Sequence, residues 1–295
     1  MRRTNQWRQR GVFSACLVVL VGTGCIDNTI TQQPIREIAV VTGDFDHMSE
    51  DLDRLLLSYT EYEGFICCAA YDGTVDPDAN GLKTESLFAG STEGAGREMF
   101  IYDAVFLNSG SRGWGAYEYN GVGEDNQLLI NPEVIQNVEE FVTKGNTLVL
   151  TDWTYDLIEA VWPEALEFYG DDTEVDAAQV GLLGTISATV SDSVLATNLD
   201  QENVNVAFDF SNWSVIESVG EDVEVHLRGD VSYRISASEG TGVLEDVPLL
   251  VSFEKGAGQV IFASFHWAAQ TPELGQALMT EIVGGLKAGI QGGAL

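Results

Sequence analysis

Positive charge is what this chain has least of. Fourteen Lys and Arg residues stand against 46 Asp and Glu, a formal net charge of -32. So acidic a surface repels nucleic-acid phosphates and anionic lipid headgroups, which argues against both as docking partners. The acids are scattered rather than gathered in one tail, the pattern of general solubility or high-salt adaptation. Proline is scarce, at six residues, so the chain is neither proline-rich nor collagen-like. Four cysteines make no disulfide framework. Cys67 and Cys68 are adjacent in the apolar segment 64–70 and read as buried small hydrophobes, with a ligand or redox role as the alternative. The apolar run Val12 to Val21 falls short of the about 20 residues a membrane-spanning helix needs. No G-x-G-x-x-G follows the first apolar strand, and the glycines of 108–123 spell no phosphate loop, so a nucleotide cofactor is not expected.

What is present begins with a leader. Arg2, Arg3, Arg8 and Arg10 precede the apolar run, and Gly22, Thr23, Gly24 and Cys25 follow it. A basic stretch, a short apolar stretch and small residues make an export signal. A cysteine directly after the small residues resembles the bacterial lipoprotein box. The expectation is a signal over 1–24, lipidation at Cys25 and a polar tether over 25–35, in a protein exported and lipid-anchored on the periplasmic or surface face of a bacterial envelope. An ordinary cleaved signal and a retained anchor are the alternatives. Removing the leader takes away four arginines and no acid, leaving the remainder more acidic still.

From residue 36 onward the apolar pattern alternates between strand and helix. Ile38 to Thr42, Phe65 to Ala70, Tyr102 to Leu107 and Thr147 to Thr151 read as buried strands. A helix is expected from Ser49 as cap, with Glu50 and Asp51 in its first turn and Leu52, Leu55 and Leu56 on one face. Others are expected after Asn131 and Pro132, carrying Val134, Val138 and Phe141, and from Tyr155 to Val161. Residues 72–98 and 108–123 read as loops. Continuous rather than alternating strands indicate a parallel sheet covered on both faces. From 182 to 253 the strands alternate instead (Ile186 to Val190, Val204 to Phe208, Val223 to Leu227, Leu249 to Phe253), as in a β-rich insertion or antiparallel extension. Lys255 to Gly258 forms a hairpin turn, Gln259 to Phe265 returns, Pro272 to Leu286 closes the domain, and 287–295 is a flexible tail. The expected class is α/β: a flavodoxin-like three-layer sandwich over 36–286, with a mostly parallel central sheet and a β-rich extension.

Two segments carry a resemblance: G-N-T-L-V-L-T-D-W, Gly145 to Trp153, and G-A-G-Q-V-I-F-A-S-F-H-W, Gly256 to Trp267. With the layout over 36–286, they resemble the class I glutamine amidotransferase-like superfamily, in particular its trehalose-utilisation-protein-like branch. In that superfamily the nucleophilic cysteine sits on the elbow after the middle strand. The elbow here is Thr151, Asp152, Trp153, Thr154, with no cysteine. The place of the triad histidine falls on His266. Trp267 and Ala268 follow it, where the amidotransferases have proline and glutamate. The resemblance implies the fold and one aligned histidine, but neither glutaminase nor peptidase activity.

Loops at the carboxyl ends of parallel strands converge on one crevice. Asp152 and His266 are placed to meet there, the carboxylate orienting the imidazole as hydrolases require, although no activated nucleophile stands beside them. A polar pair at strand ends, or an Asp capping the next helix, is the plainer account. Asp44, Asp46 and His47 open onto the same edge as a weak candidate metal set, and equally read as a loop and helix start. Asp76, Asp78, Asn80 and Gly81 resemble the start of a calcium loop, although position twelve is Leu87 and Glu85 fits only a differently shaped loop. Arg112 and Trp114, with Tyr117, Tyr119, Trp153 and Trp267, would rim a pocket for a carboxylate or a sugar ring. His226, near Arg228, reads as structural. The functional expectation is a non-catalytic envelope module binding a carbohydrate, a peptide or an envelope protein. The alternative is a metal-assisted or His/Asp-dependent hydrolase acting on carbohydrate.

Overall fold

The computed structural model describes residues 37–64, 84–89, 97–111, 117–120, 127–130, 132–170, 178–236, 238 and 240–289. In chain order the first elements are β1 (Ile38–Val41), α1 (Ser49–Arg54), β2 (Thr60–Tyr62), α2 (Thr84–Phe88) and β3 (Ala104–Leu107). Then come β4 (Tyr117–Asn120), β5 (Gln127–Ile130), α3 (Pro132–Thr143), β6 (Thr147–Thr151), α4 (Tyr155–Val161) and β7 (Leu166–Phe168). The remainder comprises β8 (Gly184–Val190), α5 (Ser193–Leu199), β9 (Asn203–Phe208), β10 (Ile216–Val219), β11 (Val223–Ser236), β12 (Gly240–Lys255), β13 (Gly258–Ala263) and α6 (Pro272–Gly289).

Strands with no polar alternation must lie between two layers. Accordingly β1, β3 and β6 are buried along their full lengths. The main sheet runs β2-β1-β3-β6-β13-β12-β11-β8-β9. From β2 to β13 the pairings are parallel, and from β13 to β9 antiparallel. This is a flavodoxin-like α/β fold with a strand-rich extension. Alternate residues feed alternate layers. Val40, Phe106 and Val149 pack with Leu52 of α1, Leu195 of α5 and Leu278 of α6. Val41, Val105 and Leu148 face the other way, onto Leu87 of α2, Val138 and Phe141 of α3 and Ile158 of α4.

Several expectations change. Ser49 does not cap α1. The cap is Met48, whose side chain is buried and whose amide donates to Asn108 Oδ1 at 2.8 Å, so the helix starts one residue earlier. Leu56 leaves the apolar face because α1 ends at Arg54. It sits at φ 56 and is 91% exposed. The second strand described is Thr60–Tyr62, while the one expected at Phe65 to Ala70, with Cys67 and Cys68, lies outside the described residues. The loop expected at 72–98 contains α2, and that at 108–123 contains β4, which pairs with β5. Past α4, a three-residue strand that the apolar pattern does not announce, β7, pairs with β10.

The far edge has an unusual closure. The Gln270 side chain accepts from the Ala207 amide at 3.0 Å and donates to the Ala207 carbonyl at 2.9 Å. Ala207 lies on β9, the last strand of the sheet.

Candidate functional site

The carboxyl ends of β1, β3, β6 and β13 lie side by side, and the segments after them build one polar cluster. Close approach is required: a Cβ on Gly43 would stand 2.2 Å from the Ser109 carbonyl oxygen, so only glycine lets the β1 turn cross the β3 loop. After β6 the chain turns sharply into a short 3-10 segment. Thr151 is extended and Asp152 sits at φ 42. A non-glycine residue there is strained by roughly 1–2 kcal/mol, and such strain persists only where surrounding contacts over-determine it.

Those contacts surround the Asp152 carboxylate. Oδ2 faces His266 Nε2 at 3.0 Å and accepts from Ser109 Oγ at 3.3 Å. Oδ1 accepts from the Ser214 amide at 2.7 Å and from Ser214 Oγ at 3.2 Å. The other imidazole nitrogen, Nδ1, faces Asp209 Oδ1 at 2.8 Å. With a carboxylate on each ring nitrogen, the imidazolium, which donates from both, is the form that satisfies the site. Burial is the largest influence on the ring and pulls its pKa down. The hydrogen bond and charge of Asp152, with the charges of Asp46 and Asp209, outweigh it and raise His266 to about 9. Burial pushes the Asp152 carboxyl above its ordinary value, against the pull of His266 and Ser214.

This pair lies under an aromatic cover rather than in an open cleft. Phe45 lies parallel to the His266 ring at 6.3 Å, and its own ring meets Trp153 at 4.8 Å and Phe210 at 5.0 Å. Asp152 is fully buried and His266 4% exposed, whereas Phe210 is 40% exposed. Trp153 is half-buried and anchored through Nε1–H to the Asn212 carbonyl at 2.7 Å.

Asp46 is held by backbone donors. Its carboxylate accepts from the amides of His47 at 2.8 Å and of Trp267 and Ala268, each at 3.0 Å. These three bonds staple the β1 turn to the segment after His266. Asp44 belongs to no cluster of metal-ligating groups among the described residues. Trp267 does not rim a pocket: it is 1% exposed and donates Nε1–H to the Gly275 carbonyl at 3.3 Å, inside the core under α6. Cys25, Asp76, Asp78, Asn80, Arg112 and Trp114 lie outside the described residues. No local signal marked Ser109, Asp209 or Ser214 in the sequence. They arrive from the β3 loop and from beyond β9, 62 residues past Asp152 in the case of Ser214.

No family model matches the chain. No curated protein matches it either. Solved structures do. A ThuA-like protein from Parabacteroides merdae aligns over 86% of this chain and 91% of its own at 10% identity, with a TM-score of 0.46. A glutamine amidotransferase from Thermotoga maritima aligns over 88% and 96% at 10% identity, with a TM-score of 0.41. A β-galactosidase from Bacillus circulans aligns over 84% of this chain but 30% of its own, at 12% identity and a TM-score of 0.41.

Proposed function

We propose that this chain is a non-catalytic module of the glutamine amidotransferase-like superfamily, in its trehalose-utilisation-protein-like branch. On this reading it is held at the bacterial envelope by a lipid on Cys25 and binds a carbohydrate, a peptide or an envelope protein. The observation that supports the absence of turnover is the enclosure of Asp152. At the elbow position its carboxylate is already engaged by His266, Ser109 and Ser214 and has no exposed surface. A nucleophile or base has to reach its substrate. Half-buried Phe45 and Trp153 and exposed Phe210 cover the pair, and such a cover suits the flat face of a sugar ring. A titration of soluble chito- and malto-oligosaccharides followed by Trp fluorescence tests this. Saturable quenching that Phe210→Ala weakens at least tenfold is the expected result. Saturable quenching unchanged in Phe210→Ala would move the binding surface elsewhere. For the anchor, Cys25→Ser is expected to shift the protein from the membrane to the soluble fraction.

The second reading, a His/Asp-dependent hydrolase, is favoured by one observation: Asp152 holds φ 42 at a strand-to-helix turn, a strain common at functional sites. Reducing-end release from the same oligosaccharides separates the two. Turnover lost in both Asp152→Asn and His266→Gln, with the circular dichroism of the folded protein retained, would replace the binding reading with the enzymatic one.

A further inference from the structure

A second cluster of titratable groups lies across the sheet extension, apart from the Asp152 edge. Glu224 and His226 are two apart on β11 and so share a face. Asp192 approaches them from the start of α5, where its Oδ1 accepts from the amides of Val194 at 2.7 Å and Leu195 at 3.0 Å. That fixes the side chain and leaves Oδ2 facing His226 Nδ1 at 2.8 Å. We propose that Asp192, Glu224 and His226 form a binding site for a divalent transition cation of the zinc class.

Four features carry this. Each of the three side chains offers a ligand atom, and those atoms all lie within 4.8 Å of one another. The set borders a cavity of about 140 Å3 that Glu281 of α6 also lines, so among the described residues three carboxylates and one imidazole, and no Lys or Arg, border the space. Gln259 and the apolar side chains of Leu195, Leu250, Ile261 and Leu278 complete the described lining. Finally, His226 Nε2 lies 2.7 Å from Ser252 Oγ. With the serine accepting from Nε2–H, the lone pair of Nδ1 points at the ionised Asp192 oxygen. Fixing the tautomer through the far nitrogen is how metal-ligating histidines are commonly oriented. An imidazole among the oxygens selects zinc-like ions over calcium. The Nδ1 lone pair then forms the bond to the metal directly, with Nε2–H kept on the serine, so no covalent bond has to break.

The same residues also spell Ser252–His226–Asp192, the order of a hydrolytic triad. Ser252 is 3% exposed, and its strand is laddered between β11 and β13, so no strand-end turn presents it with a set of free amide donors for an oxyanion.

Calorimetric titration of the full chelator-treated chain with Zn2+ tests the proposal. The expected result is one saturable site and a melting temperature raised by roughly 5 °C at a hundredfold excess over Kd. His226→Ala and Glu224→Gln are each expected to weaken binding at least tenfold. Glu224 is exposed, so its variant keeps the fold. Replacing Zn2+ by Co2+ should give a visible absorption band absent from His226→Ala. Three outcomes would overturn the site. One is the absence of saturable binding. Another is Zn2+ affinity equal in wild type and both variants, which would mean diffuse attraction to an acidic surface. The third is fluorophosphonate labelling of Ser252 in a protein indifferent to Zn2+.

Discussion

His266 sets the pH response of the fold. Its pKa is 6.5 unfolded and about 9 folded. Below 6.5 both states hold the proton and the stabilisation is complete. Between 6.5 and 9 the native state holds more protons than the unfolded one, so stability falls as pH rises, and above 9 the contribution is gone. Chemical denaturation at a series of pH values should show that decline in the wild type and a flatter profile in His266→Gln. Breaking a buried pair leaves the partner uncompensated, so Asp152→Ala is expected to cost roughly 3–5 kcal/mol, read as a lower denaturation midpoint. The meeting of these two residues was legible from strand ends alone, because parallel topology brings carboxyl ends together whatever the loops do. The closure of the site was not. It depends on Ser109, Asp209 and Ser214, whose side chains are ordinary loop residues until the fold delivers them.

At the scale of elements, burial on both faces made β1, β3 and β6 readable, and the spacing of Val134, Val138 and Phe141 made α3 so. Phe141, fully buried on α3, is expected to cost about 3–5 kcal/mol when cut to alanine, measured by urea unfolding. Short elements escaped. β7 has three residues and α2 five, too few for either period to declare itself. Asp46 shows how an element junction misleads. In sequence it is an acid in an Asp-x-Asp turn. In the fold its carboxylate joins two connections by accepting three backbone N–H groups. Asp46→Ala should lose about 2–4 kcal/mol by stranding those amides, and equilibrium unfolding should show that the loss is the same with and without divalent cations.

For the whole molecule, the net charge of -32 is a standing self-repulsion. Raising NaCl from about 0.05 M to about 1 M shortens the screening length from roughly 14 Å to 3 Å, and a melting temperature that climbs with salt is the expected calorimetric result. Charge also keeps copies apart, but it leaves the sheet edge at β9, where unpaired backbone invites a second chain. There the Gln270 amide occupies both the N–H and the C=O of Ala207, while its nitrogen also donates to the His266 carbonyl at 2.8 Å. A side chain thus plays the part of one residue of a tenth strand and takes the rung at Ala207. The same amide binds the end of the sheet to the turn that carries the imidazolium, so whatever loosens that turn also uncovers a place for another molecule to attach.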